Sequence, residues 1–445
     1  MLAINPESLQ LSKPKNTRLE VSEFTYLQPR MVQRIVIPNQ DLRMEGVAFR
    51  EDGNVMGTAL SDGNAVLLYR KDENGEAFEE LPFCRLVLNT DSLNYPHDLA
   101  FSLNDAGRYL AVALRSGGLA IYERADDGLN YHTEPIQVLD TRTSKLQYTD
   151  GVCFLPPSGE VMAVCNTATD ELILFRKNTD DKAYSFGEWP IQAVWGDSIY
   201  HPDGIASTAC GKYVAIANHH ANNVAIFAVD PETTKLVREP IKVITDSSLK
   251  YPHSVQFTPK HNHLLVTCAG VNYINVYRAE QSETGSALQW SEIADQHLYL
   301  GFDELFAEVN AENDQEGGPK GLSLSRDLMA VCRAETGLTL YPYQENQSEI
   351  RFPVKSNDSE HRVLRSNPSY VLKGGDEGFC FYSEDSNTVL NVNESAAAIY
   401  SLCDGVRSIA EITDILQAQF PDHDRITEDV LDTLYKLILN EIVIN

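Results

Sequence analysis

Six segments of this chain repeat one grammar, and that repetition constrains the fold more than any single motif. Each runs from a short apolar strand through a Gly or Asp turn into a second apolar strand, then through a polar turn into a third strand with an aromatic near its end. EGVAF from Glu45, NVMGTAL and AVLLYR make the first unit; HDLAF from His97, YLAVALR and LAIYER make the second. DGVCF from Asp150 leads VMAVCN and LILFRK, and DGIAS from Asp203 leads YVAIAN and VAIFAV. HSVQF from His253 leads LLVTCA and INVYR, and KGLSL from Lys320 leads LMAVCR and LTLYPY. The starts at 45, 97, 150, 203, 253 and 320 are roughly fifty residues apart, with one longer step. A further β-rich run (QRIVIP, CRLVLN, IQVLD, IQAVW, IKVIT) precedes the first five starts. Four short strands per period predict the blade of a β-propeller, and the 3.6-residue periodicity of an α-solenoid is lacking.

The units resemble blades of lactonase-like and NHL-like propellers, and six blades are expected. A seventh sheet forms if the N-terminal VSEFTYL pairs with RFPV near Phe352. The longer step holds an insertion over 279–318, in which Phe302, Leu305, Phe306 and Val309 share one helical face. It reads as a connecting helix on the propeller rim or as a lid over one face.

Composition narrows the partners. The chain has 36 basic and 64 acidic residues, a net charge of -28, so neither a phosphate backbone nor an anionic membrane surface is an expected partner. No apolar run approaches the ~20 residues of a membrane span, and the N-terminus lacks the apolar stretch of a secretory signal. The eight cysteines form no CxxC pair, and Cys165 and Cys332 lie inside apolar runs, which suits buried thiols and a cytoplasmic location.

Aligning the blades places Glu45, His97, Asp150, Asp203, His253 and Lys320 at one register, with His201 two residues before Asp203. In a propeller this register crowds around the central channel. Such a ring has three readings. It can hydrogen-bond neighbouring blades and channel water, hold a divalent metal through His97, Asp150, Asp203 and His253, or supply acid–base pairs for hydrolysis. Arg115, Asn166, Asn218, Cys268 and Arg333 end the second strands as another polar layer. The pair His219-His220 reads as a loop, because adjacent strand residues face opposite ways.

Beyond Tyr370 the grammar changes. YVLK, GFCFYS and NTVLNV read as three strands. ESAAAIYSLCDG reads as a helix with Asn393 as N-cap and Gly405 at its end, and SIAEITDILQAQF as a helix with a Ser408–Glu411 capping box. ITEDVLDTLYKLILN reads as a third helix with Ile426, Val430, Leu434, Leu437 and Ile438 as its core stripe. A sheet followed by three helices suggests DNA binding, but residues 370–445 carry 14 acidic residues against 4 basic ones, which excludes it. The chain is thus read as an N-terminal extension (1–30), a propeller (31–355), a linker (356–369) and a small α+β winged-helix-like domain (370–445).

That last domain resembles the PqqD family of peptide chaperones, the RiPP recognition elements. The resemblance rests on Leu390–Asn391, Asn393–Gly405, Ser408–Ile412 and Asp429–Val443. It departs at Tyr400, where Trp is common, and at Asn440–Glu441, where a turn glycine is usual. It implies that a precursor leader peptide adds as a strand beside Thr388, Val389, Leu390, Asn391 and Val392, against a groove on the third helix. Leu431 and Tyr435 either line that groove or complete the core. The expected function is peptide recognition in a ribosomal-peptide modification pathway, with a radical SAM or other modifying enzyme as partner of the propeller. The alternative is a hydrolase- or lyase-like propeller enzyme, metal-dependent if the ring holds an ion, to which the second domain delivers a peptide.

Overall fold

Buried middle strands explain the architecture. Val55–Leu60, Tyr109–Leu114, Val161–Asn166, Tyr213–Asn218 and His263–Cys268 are buried at every position, because both faces of each sheet pack against a neighbouring sheet. A strand covered on both faces reads as a continuous apolar run rather than as an alternation. Small residues occupy one face where blades converge, as Ala111 and Ala113 do between Leu110, Val112 and Leu114.

The computed structural model describes residues 25–27, 31–35, 43–88, 93–179, 184–300, 317–352 and 363–444, with short interruptions inside these spans. One compact unit covers Leu27–Val354, and Lys355–Asn445 forms the bulk of a second.

The first unit is a propeller of six sheets, each antiparallel and each led by one of the predicted inner strands. Those inner strands are Met44–Phe49, Pro96–Phe101, Thr149–Leu155, Pro202–Ser207, Pro252–Phe257 and Pro319–Leu324. The extra β-rich runs are outer strands, each belonging to the blade before the start it precedes. Cys84–Val87 thus ends blade one, and Gln33–Ile35 pairs with Gly337–Pro342 to complete blade six. Six apolar cores lie between consecutive blades, and the last joins Ile35, Met44 and Met56 to Ala330, Cys332 and Leu338.

Among the described residues no seventh sheet forms: Ile350–Arg351 pairs with Gln344–Glu345, and Phe352 packs beside Tyr343 in the core between blades five and six. The 279–318 insertion is also partly a correction. It contains the outer strand of blade five, Gln296–Tyr299, and a short strand Leu288–Trp290 against the far end of Tyr273–Gln281. The helical face expected at Phe302, Leu305, Phe306 and Val309 lies outside the described residues.

In the second unit, Val371–Gly375, Gly378–Ser383 and Thr388–Val392 form the expected three-stranded meander. Helices Glu394–Leu402 and Ile409–Gln419 follow, with Asn393 capping the first and the Ser408–Glu411 capping box opening the second. Ile426, Val430, Leu434 and Leu437 are helical and buried. Val363–Ser366, inside the expected linker, is a strand. It lies between Asp404–Ser408 and Val443–Ile444 in a second small sheet.

Candidate functional site

Each inner strand of the propeller opens with a register irregularity at its second or third residue. A bulge re-aims one side chain out of the alternation, and here that side chain is the aligned ring residue. In three blades the entry is tighter still. Tyr95, His201 and Tyr251, each two residues before a ring residue, have φ of 54°, 51° and 52°. Their N–H groups donate to the side-chain oxygens of Asn64, Asp170 and Asn222 from the preceding blade, at 2.8, 2.6 and 2.7 Å. Holding a bulky residue in the left-handed region costs free energy, and these three bonds offset it where the chain turns into the channel.

The next position is glycine in four blades. A Cβ on Gly151 would lie 2.3 Å from the Asp203 carbonyl oxygen, and one on Gly204 would lie 2.5 Å from that of His253. The inner strands approach too closely there for a side chain. Blade two carries Asp98 at this position, whose Oδ2 accepts the Val152 N–H at 3.2 Å, and blade five carries Ser254.

The ring that results is buried. Glu45, His97, Asp150, Asp203, His253 and Lys320 are each no more than 4% exposed. Lys320 Nζ lies 3.0 and 3.2 Å from the two Glu45 oxygens, and His253 Nε2 lies 3.1 Å from Glu45 Oε2. Arg43 also contacts Glu45 Oε1. Arg115 Nε pairs with Asp150 Oδ1 at 2.7 Å and so enters the ring from the second polar layer. Asp203 lies between three imidazoles: His219 Nδ1 at 3.4 Å, and His97 Nδ1 and His253 Nε2 at 3.7 Å each. His97 and His253 stack at 5.0 Å between centroids. Between these groups is a cavity of about 10 Å³, room for one water or one bare ion.

The electrostatics follow from burial and neighbours. Burial pushes the Glu45 carboxyl up, but the Lys320 ammonium and the hydrogen bond to His253 outweigh it and hold the group well below the usual range. Burial, helped by Arg115, brings His97 down to about 4. Asp203 is held low against its burial by His253, His97 and His219. Asp98 goes the other way: burial takes it up to about 8, although its side chain still reaches the channel space.

Six of the seven expected ring residues therefore converge. His201 does not. It is half-buried and stacks on the exposed His220 at 3.9 Å between centroids. The loop expected at His219-His220 is a turn, and it sends His219 to Asp203 and His220 to solvent. Asn166 and Asn218 pin loops instead: Asn166 Oδ1 accepts the Gln147 N–H and Asn218 Oδ1 the Tyr200 N–H. Asp98 and His219 are site residues that the sequence reading passed over. Asp98 signals itself as the one acid in a register of glycines.

In the second unit Thr388–Val392 is an edge of its sheet among the described residues, paired only with Gly378–Ser383. Leu431 and Tyr435 lie outside the described residues.

The two units resemble different known families. Residues 381–443 match the family of coenzyme PQQ synthesis protein D (PqqD), and residues 65–248 match the family "Lactonase, 7-bladed beta-propeller". The chain carries a PqqD domain at its C-terminus behind a lactonase-type propeller, built here with six sheets. A curated relative, a PqqA binding protein of Azotobacter vinelandii (strain DJ / ATCC BAA-1303), is 50% identical over 46 residues, which is 10% of this chain and 50% of that protein. The chain thus spans about half the length of the curated relative it matches. Among solved structures, a putative 6-phosphogluconolactonase from Bacteroides uniformis ATCC 8492 is 13% identical, with 71% of this chain and 84% of that one covered and a TM-score of 0.48. The periplasmic gluconolactonase PpgL of Pseudomonas aeruginosa is 14% identical, with 70% and 84% covered and a TM-score of 0.47. At that similarity no activity transfers to this propeller.

Proposed function

We propose that this chain is a peptide-recognition protein of a ribosomal-peptide modification pathway. Its PqqD domain takes up the leader of a precursor peptide as an added strand along Thr388–Val392, and its propeller docks the modifying enzyme, of radical SAM or another type, or the core peptide. The observation that carries this reading is the PqqD match over 381–443, reinforced by 50% identity over 46 residues to a PqqA binding protein. The physical basis is the sheet edge: Thr388–Val392 presents one row of backbone groups to no other strand among the described residues. An extended peptide gains affinity from such a row through main-chain hydrogen bonds and selectivity from alternate side chains. The acidic character of residues 370–445 favours a leader with Lys or Arg beside the docked segment, chiefly by speeding encounter.

The test is a calorimetric titration of the full chain with PqqA and with the leader peptides encoded beside its own gene, followed by amide hydrogen exchange. Binding at micromolar Kd or tighter, with new protection at 388–392, is the expected result. Binding to none of these peptides, or binding with protection confined to the propeller, removes the reading.

A further inference from the structure

The geometry points to a divalent transition-metal site of the zinc class in the propeller channel, with Glu45, His97 and His253 as ligands. The two nitrogens of His97 meet different surroundings. Its Nδ1 faces only oxygens: the Asp150 carbonyl at 3.4 Å and the carboxylates of Asp150 and Asp203 at 3.7 Å each. That surrounding fixes the proton on Nδ1 and leaves a lone pair on Nε2. Nε2 has no hydrogen-bond partner, is buried with the rest of a side chain only 2% exposed, and lies 3.7 Å from Glu45 Oε2. A lone pair aimed at a carboxylate oxygen is repulsive unless something positive sits between them. A carboxylate behind one imidazole nitrogen, with the other nitrogen free, is also the arrangement that orients a metal-ligating histidine.

The separations fit an ion. Zinc bonds of about 2.0–2.2 Å to nitrogen and oxygen place tetrahedral ligand atoms about 3.4 Å apart. Glu45 Oε2 is 3.1 Å from His253 Nε2 and 3.7 Å from His97 Nε2. The ligand atoms of Glu45, His97 and His253 all lie within 4.8 Å of one another, and the cavity between them is the size of one ion. Two imidazoles with a carboxylate are a donor set for zinc rather than for calcium or magnesium, which take oxygen. Lys320 Nζ lies 3.0 Å from Oε2 and 3.2 Å from Oε1, so a bound ion would share Oε2 with the ammonium while Arg43 stays on Oε1. The three ligands come from blades one, two and five, so a bound ion would cross-link the propeller through its axis.

The experiment uses purified full-length protein stripped with EDTA and titrated with zinc sulfate, by calorimetry and by competition with a chromogenic chelator. Expected are one zinc per chain with submicromolar Kd and a thermal midpoint that rises with zinc, as binding to the folded state alone requires. His97→Asn and Glu45→Gln should each weaken zinc binding at least about tenfold, while His220→Asn, on the exposed turn, binds as wild type. Circular dichroism of the zinc-free variants checks their folding. If neither ring variant folds, X-ray absorption of the zinc-loaded wild type decides instead, with two imidazoles and a carboxylate oxygen among the expected donors. A folded wild type that takes up no zinc at about 0.1 mM, a concentration that saturates a submicromolar site, overturns the assignment. So does zinc retained at full strength by His97→Asn, or a donor set lacking imidazole.

Discussion

The carboxamide of Gln33 brackets the backbone of Phe78: Nε2 donates to the Phe78 carbonyl at 2.6 Å and Oε1 accepts the Phe78 N–H at 2.9 Å. Gln33 sits on the outer strand of blade six and Phe78 belongs to blade one, so this pair of bonds closes the ring. The same clip joins Gln137 to Phe186 and Gln192 to Leu236 at two other blade junctions.

Gln33→Ala leaves both Phe78 groups without that partner, which costs roughly 1–3 kcal/mol. Gln137→Ala removes equivalent bonds from a junction inside the ring, where no terminal strand has to be held. The closing strand Gln33–Ile35 is only three residues long, so its loss opens the ring. Thermal denaturation should therefore show a larger fall in Tm for Gln33→Ala than for Gln137→Ala. An equal or smaller fall would mean that the apolar packing around Ile35 closes the propeller without the clip.

The blades were legible because a strand buried on both faces leaves a continuous apolar run, and six such runs repeat. The outer strand of blade five was not, because Gln296–Tyr299 reads QHLY, too short and polar to stand out of a long insertion. His219 was missed for a geometric reason: alternation applies to strands, and this residue lies in the turn after Asn218. In the second unit the helix caps were readable from Asn393, Ser408 and Glu411. The strand Asp404–Ser408 was not, since DGVRS is mostly exposed and offers no apolar pattern, with Val406 at 77%. Ring membership followed from register alone, but the pairing within it needed the bulges that turn each side chain inward.

Close approach at the channel makes Gly151 intolerant of a side chain. Its added Cβ would meet the Asp203 carbonyl oxygen at 2.3 Å and Ile205 Cγ2 at 3.0 Å. The oxygen is backbone, so relief requires blades three and four to separate. Gly151→Ala should lower stability by about 3 kcal/mol or prevent recovery of soluble protein. Gly75→Ala, at φ 71° with no atom near its Cβ, should cost only about 1 kcal/mol. Equal melting temperatures for the two variants would show that the inner strands are free to spread.

Acid should weaken the contact between Glu345 and blade five. Burial raises the Glu345 carboxyl, but His263 at 3.9 Å, Thr258 and the Lys260 N–H at 3.0 Å hold it below its usual 4.5. A carboxylate with a depressed folded pKa binds fewer protons folded than unfolded between the two values. Its contribution is complete above about pH 4.5 and is lost as pH falls through the folded value. Denaturation followed from about pH 6 to pH 3 should fall more steeply in wild type than in Glu345→Gln. Parallel curves would mean that this carboxyl is not linked to folding.

Ser408 both ends a strand and starts a helix. It is the cross-strand partner of Val363, its Oγ accepts the Glu411 N–H at 3.2 Å, and its own N–H donates to Glu411 Oε2 at 2.8 Å. These bonds hold the Glu411 carboxyl below its usual value, so the ionised form is the one that caps. The helix they open, Ile409–Gln419, carries Ile409, Ile412 and Leu416 into the interior. Ser408→Ala removes one half of the reciprocal pair and should cost about 1 kcal/mol. Because the cap acts on the first turn, hydrogen exchange should quicken most at the amides of Glu411 and Ile412, and Ser408→Thr should restore protection. Unchanged exchange at those amides would mean that burial of Ile412 and Leu416, and not the cap, sets where this helix begins.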